Sequence, residues 1–255
     1  MNEETPSRVV VVTGGASGIG AACVRHFAVQ GWRVVVNYFL DTDREAAQTL
    51  VADGRGIAVQ GDVSVDADCR HLVQQAQEAF GRIDALVSSA GTTRLVAHAD
   101  LDGLHLSDFM QTAAVNTAGP FLITRACAPL LKASGQGAIV IVSSYGAIYG
   151  TGSSIAYAAS KGATNTLTLS LARVLAPEVR VNAVCPALVA DGFVQRLDPA
   201  LFEARAAHQI ARAPLRKVAR PEEVAADVYW LAAGASLITG SVLQLDCGLH
   251  LNGDG

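Results

Sequence analysis

Seven short runs of branched apolar residues punctuate this chain, and alanine-rich stretches lie between them. The runs fall at 8–13, 33–38, 57–62, 84–88, 138–143, 179–185 and 242–246. Several are apolar at nearly every position rather than at every second one. A strand with one wet face alternates; a strand without alternation is covered on both faces, as in a parallel sheet. The stretches at 18–30, 43–53, 66–80, 107–132, 154–176 and 221–234 read as helices. Strand and helix in alternation predict an α/β chain with a doubly wound, seven-stranded parallel sheet and helices on both faces. Right-handed crossovers leave few topologies for it.

Composition agrees with one large core. Of 255 residues, 51% are hydrophobic and 16% charged, which argues against disorder. Nineteen basic and 23 acidic residues give a net charge of −4, without the basic signature of a nucleic-acid binder. No apolar run approaches the ~20 residues of a membrane span. The first ten residues are polar and acidic, unlike a signal peptide. Five dispersed cysteines, with no Cys-x-x-Cys, suit reduced thiols in the cytoplasm. The six histidines show no ligand spacing, so no metal is expected. With no repeat or linker, 1–255 reads as a single domain. Segment 187–220 breaks the regular pattern. It is long and irregular, with six Lys/Arg against three Asp/Glu.

Chemistry concentrates in two places. Directly after the first apolar run comes Thr13-Gly14-Gly15-Ala16-Ser17-Gly18-Ile19-Gly20, and then a helix. Glycines there permit a tight turn and close approach of a pyrophosphate, and the helix N-terminus supplies amide donors. Farther on, Tyr157 and Lys161 are four residues apart on a helix, with Ser144 thirteen residues before Tyr157. One turn of spacing puts phenol and ammonium on one face. A cation beside a phenol favours the phenolate, and such a pair can exchange a proton with an alcohol oxygen. Alone, that spacing is far more often that of a solvated helix face.

Together these motifs resemble the short-chain dehydrogenase/reductase family over essentially the whole chain. Gly14, Gly18 and Gly20 match its phosphate-binding turn, and Ser17 and Ile19 fall within it. Asp62 and Val63 match its adenine-holding position. Ala90 and Gly91 match the end of Asn-Asn-Ala-Gly, while Ser88 and Ser89 replace both asparagines. Asn116 matches a helical asparagine, and Ser144, Tyr157 and Lys161 match the catalytic set in type and spacing. Pro186 and Val189 match the turn after the sixth strand, whereas Ala187 and Asp191 replace a glycine and a threonine that commonly bonds the nicotinamide.

The resemblance implies a Rossmann fold and hydride transfer between a nicotinamide and a carbonyl or secondary alcohol. Tyr157 would exchange the proton. Lys161 would lower the Tyr157 pKa and bond the ribose. Ser144 would hold the substrate oxygen, and Asn116 would bend its helix to bind a water linking Lys161 to solvent. Tyr38 occupies the place of the carboxylate that selects NAD, which favours NADP(H), with Arg44 the nearest basic residue. Segment 187–220 would be the substrate lid, and its cations could steer an anionic substrate or an acidic carrier protein. Arg94 is the best-placed single substrate contact. His98, in a connecting loop, reads as solvated. Tyr145, Ile148 and Tyr149 would form an apolar wall. The nearest branches are β-ketoacyl-carrier-protein reductases and sugar or polyol dehydrogenases, acting as homotetramers on small molecules. A nucleotide-binding regulatory protein with lapsed chemistry, or a nucleotide-sugar epimerase, would share some of the motifs.

Overall fold

The structure is a computed structural model that describes residues 7–252. Seven parallel strands form one sheet: β1 (Val9–Thr13), β2 (Arg33–Tyr38), β3 (Gly56–Gln60), β4 (Ala85–Ser88), β5 (Gly137–Val142), β6 (Val179–Pro186) and β7 (Val242–Leu245). Their order is β3-β2-β1-β4-β5-β6-β7. The helices are α1 (Gly18–Val29), α2 (Arg44–Leu50), α3 (Asp66–Phe80), α4 (Leu106–Ala113), α5 (Gly119–Ala133), α6 (Gly146–Tyr149), α7 (Ile155–Leu175), α8 (Phe193–Leu197), α9 (Pro199–Arg212) and α10 (Pro221–Ala233).

The continuous valines of β1 explain the two layers. Val10 and Val12 point to the face covered by α1 and α10. Val9 and Val11 point to the face covered by α3, α5 and α7. Every residue of β1, β4 and β5 is buried, as a sheet with two covered faces requires. Pairing carries one layer straight across: Leu86 lies beside Ile139, and Ile139 beside Val181. Thr13 pairs with Ser88, and Val142 with Val184, so the carboxyl ends of four central strands reach nearly one level. The chain leaves β1 toward β2 but leaves β3 for β4 on the other side, so the strand order reverses at β1. Crevices that bind ligands open at such a reversal.

Three expectations need correction. The helix expected at 107–132 is α4 and α5 joined through a π-helical turn, Ala114–Ala118, that contains Asn116. Segment 187–220 is mostly helical: Asp198 caps α9 by accepting from Leu201 N at 2.9 Å, and Pro199 occupies the first turn, where proline costs nothing. The third and seventh strands are shorter than expected, because the chain turns after Gln60 and after Leu245.

Ile139 is fully buried in the centre of the α3/α5/α7 layer. Ile139→Ala should cost about 2–5 kcal/mol and lower Tm by at least about 4 °C. A thermal melt shifted by less than about 2 °C would show that the layer collapses into the gap.

Candidate active site

Helix α7 starts where it does because Ser154 caps it. Ser154 is extended, and its side chain accepts from Tyr157 N at 3.2 Å. That fixes Tyr157 in the first turn and Lys161 one turn later. The end of β5 grips the same helix twice. Lys161 Nζ donates to Val142 O at 2.7 Å, and Ser143 Oγ donates to Lys161 O at 3.2 Å. Ser144, next in the chain, accepts from Gly146 N at 3.1 Å. Its own hydroxyl proton therefore remains to be donated elsewhere. Gly152 covers one edge of the phenol: a Cβ there would lie 3.4 Å from Tyr157 Cδ1.

Burial dominates the electrostatics. It pushes the Tyr157 pKa up, against a hydrogen bond from Ser144 that pulls it down. It lowers Lys161 to about 8, with Cys185 acting weakly the other way. The expected lowering of Tyr157 by Lys161 is not present in this state. The ammonium is bound to Val142 and sits 5.9 Å from the phenol ring centre.

Asn116 is fully buried behind this pair. Its side chain accepts from Thr92 N at 2.8 Å and donates to Thr92 O and Ser160 Oγ at 3.0 Å each. Its carbonyl accepts from Thr164 Oγ1 at 2.7 Å. A wide π turn frees that carbonyl from the regular helical ladder. Asn116 thus ties the loop after β4 to α7 and does not itself line the cleft.

The glycine turn meets the end of β4 directly. Thr13 Oγ1 accepts from Ser89 N at 3.1 Å and Ala90 N at 3.2 Å. Gly14 has φ +61°, and a Cβ on it would lie 2.8 Å from Ala90 Cα. The Ser88-Ser89 replacement is therefore tolerated, because Thr13 holds that loop's amides. Gly20 does not line the cleft; it lets α1 pack against the Gly14 carbonyl, where any side chain would collide. Asn37, buried at the end of β2, accepts from Gly14 N at 3.4 Å and donates to Gly61 O at 3.0 Å. Thr13 opens the glycine motif and Asn37 precedes Tyr38 in the sequence reading, but neither was given the hydrogen-bonding role it has here. The available signal was a polar residue ending an otherwise apolar strand.

One cleft of about 1540 Å³ joins these parts. Tyr38, Asp62 and Val63 line one end, and Gly14, Ser17, Gly18 and Ile19 the middle. Ala90, Gly91, Ser144, Tyr157, Lys161, Pro186 and Val189 complete the wall. Asp62 Oδ1 is held by Ser64 N at 2.8 Å and Ser64 Oγ at 2.7 Å.

A family model described as enoyl-(acyl carrier protein) reductase matches residues 14–250. The chain is 40% identical over 243 residues to a granaticin polyketide synthase ketoacyl reductase from Streptomyces violaceoruber, covering 95% of this chain and 96% of the relative. It is 34% identical over 249 residues to the 3-oxoacyl-[acyl-carrier-protein] reductase of Thermotoga maritima, covering 95% and 97%. A solved short-chain dehydrogenase/reductase from Burkholderia xenovorans superposes with a TM-score of 0.89 at 43% identity, covering 97% of this chain and all (100%) of that one. The chain belongs to the short-chain dehydrogenase/reductase family.

Short-chain dehydrogenase/reductases are oxidoreductases that use NAD(P)(H). The cleft suits such a dinucleotide. The glycine cradle would be filled by any Cβ at Gly14, and the N-terminus of α1 presents amides and a positive dipole end. The two basic residues expected to touch cofactor or substrate do not line the cleft. Arg44 Nη2 is paired with Asp41 at 2.9 Å and Gln60 at 3.1 Å, and it does not line the cleft, whereas Asp43 does. Arg94 is paired with Asp108 at 2.8 Å and lies outside the lining. Asp191 is likewise not on the lining. It is exposed, with φ 56°, and its amide donates to Gln195.

His98, expected to be solvated, instead lines the substrate end, with Nε2 buried and without a hydrogen-bond partner. Tyr145 is there too, stacked on Tyr149 at 4.3 Å. From α9 come Arg205, which donates to Gly152 O at 3.2 Å, and His208 and Arg212. The carboxylates on the whole lining are Asp43 and Asp62, both at the adenosine end.

Lys161 generates a pH prediction. A lysine with a folded-state pKa of about 8 and an ordinary value of 10.5 binds more protons unfolded than folded between those values. Raising pH through that window therefore favours the folded state. The Tm of the wild type minus that of Lys161→Met should rise by about 3 °C or more between pH 8 and 10.5. A difference flat with pH would contradict the burial of a charged Lys161.

Proposed function

We propose that this protein is a ketoreductase of the 3-oxoacyl-carrier-protein-reductase type, using NADP(H) to reduce a carbonyl to a secondary alcohol. The observation that carries this is the convergence of Ser144, Tyr157 and Lys161 on one wall of a cleft whose middle is the glycine turn. When bound, the cofactor supplies the hydride. Ser144 donates to the carbonyl oxygen and holds it in line with Tyr157. The Tyr157 phenol gives its proton to that oxygen as the alkoxide develops. Burial keeps the phenol protonated, which suits the reductive direction. With a dinucleotide bound, Lys161 would bond the ribose hydroxyls in place of part of its bond to Val142 and favour the phenolate of Tyr157. Asn116 positions α7, and its carbonyl, which accepts from Thr164, has a second lone pair that would hold a water linking Lys161 to solvent. The lid, 187–220, covers the substrate.

The cationic substrate end fits an acyl chain delivered on an anionic arm. A sugar or polyol dehydrogenase is the second reading. The polar wall of Gln111 and Ser153 favours it, since those side chains suit hydroxyls. For the cofactor, β2 ends without a carboxylate, and Arg44 would turn from Asp41 to a 2′-phosphate. Asp43 on the cleft wall is the observation that favours NAD(H) instead.

Two surfaces support a homotetramer. Leu106, Phe109, Met110 and Phe121 are exposed along α4 and α5, and Leu169 and Val174 along α7. Leu251 is exposed near β7. Four of the five cysteines are buried free thiols, which suits the cytoplasm.

A panel of 3-oxoacyl thioesters, simple ketones, sugars and polyols, assayed separately with NADPH and NADH, tests substrate class and cofactor together. Tyr157→Phe should lower kcat by about 10²–10⁴-fold while cofactor still binds in a fluorescence titration. Retained turnover would remove Tyr157 from the chemistry, and a wild type that binds cofactor but turns over nothing would favour a regulatory protein. Arg44→Ala should raise KM for NADPH at least about fivefold more than for NADH. Equal changes would discard the NADP(H) assignment.

A further inference from the structure

We propose that His98 is a specificity-determining residue, whose Nε2 donates to a second oxygen of the substrate, close to the carbonyl that is reduced. This rests on the ketoreductase reading and narrows it to substrates that carry the second oxygen, 3-oxoacyl esters and thioesters, over isolated ketones. His98 lies in the loop between β4 and α4 and lines the substrate end of the cleft. Its Nε2 is buried and has no hydrogen-bond partner. Buried polar atoms are nearly always paired, so an orphan on a cleft wall marks a bond left for a ligand. The residue as a whole is only half-buried, and an imidazole turns about a soft torsion. Nε2 can therefore trade its enclosure for a partner in the cleft.

The loop is braced against the stretch of chain that aims the phenol. Val96 N donates to Ser153 O at 3.0 Å, and Thr93 Oγ1 shares a hydrogen bond of 2.5 Å with Ser153 Oγ. Beyond His98, Asp100 N donates to Ala97 O at 2.9 Å. Ser153 directly precedes Ser154, whose side chain caps α7 and sets Tyr157 in its first turn. From the lid, Arg205 donates to Gly152 O at 3.2 Å, on the same stretch. The loop of His98 and the helix of Tyr157 are thus registered on neighbouring residues, and a short substrate with two oxygens can engage both.

Charge decides what kind of atom Nε2 meets. Arg205 and Arg212 line this end, while the lining carboxylates, Asp43 and Asp62, lie at the adenosine end. A positive potential favours the lone pairs of a carbonyl oxygen over the proton of a donor. Neutral imidazole carries its proton on either nitrogen, and an acceptor at Nε2 selects the tautomer that donates there. A ketone without the second oxygen leaves Nε2 unpaired inside a filled cleft. Sites built to bond a polar group discriminate strongly against analogues that lack it.

The test pairs ethyl 3-oxobutanoate with heptan-2-one, which has the same chain length and lacks the ester oxygens. His98→Leu should lower kcat/KM for the ester about tenfold or more, and at least about fivefold more than for the ketone. His98→Gln, whose amide nitrogen reaches about as far as Nε2, should recover part of the loss. Because no bond within the protein is removed, His98→Leu should melt within about 2 °C of the wild type. Equal losses for ester and ketone, or no loss, would overturn the proposal, and so would a large fall in Tm, the mark of a structural partner for Nε2. A second readout needs no turnover: ethyl 3-oxobutanoate should move the nitrogen NMR resonance of His98 Nε2, and heptan-2-one should not. Equal movement, or none at saturating ester, counts against the role of His98. The two levels separate cleanly. A wild type that reduces neither compound while the resonance still answers to the ester removes the reductase reading and keeps His98 as an oxygen ligand; reduction of both with equal losses in His98→Leu removes only His98.

Discussion

At the carboxyl ends of β1 and β4, two loops have to leave neighbouring strands in opposite directions and still stay in contact. The threonine hydroxyl at the end of β1 makes this work by accepting from the amides of Ser89 and Ala90. The missing side chain of Gly14 lets Ala90 close against the turn. Everything downstream is hung from that junction. Asn116 grips Thr92 just after it, Ser160 joins Asn116 to α7, and α7 carries the phenol and the ammonium. The floor of the cleft and the wall that carries Tyr157 and Lys161 are therefore two ends of one hydrogen-bonded chain.

Tyr157 and Lys161 are held in surroundings that oppose their charged forms. Removing a phenol and an ammonium from water raises the first pKa and lowers the second. The resting protein keeps Lys161 by giving it a backbone carbonyl and keeps Tyr157 neutral.

Much of this was legible in the chain. The valine runs of β1 and β2 could form only a strand covered on both faces, and the Tyr157–Lys161 spacing set the face of α7. What escaped depended on partners distant in sequence. The bend at Asn116 was expected from the resemblance, but its partner Thr92, 24 residues away, was not visible. Arg94 looked like a substrate contact because its carboxylate, Asp108, is 14 residues away and becomes a partner only after folding, whereas the Asp41 that holds Arg44 is a near neighbour already visible in the sequence. His98 looked wet because nothing in its loop shows that Nε2 would be enclosed. The helix α9 did carry a local signal, Asp198-Pro199, hidden in a stretch whose charges suggested a coil.

Asn37 sets a boundary on redesign. Its amide nitrogen faces the carbonyls of Gly61, Tyr38 and Val59, at 3.0, 3.4 and 3.5 Å, while its oxygen serves Gly14. An aspartate there would aim a carboxylate at three carbonyl oxygens and loosen the rim that shapes the adenosine end. A designer wishing to retune nucleotide choice must leave position 37 alone and work one residue later, at Tyr38, or on the Asp41–Arg44 turn. The strand end thus separates what can be edited from what holds the binding surface together.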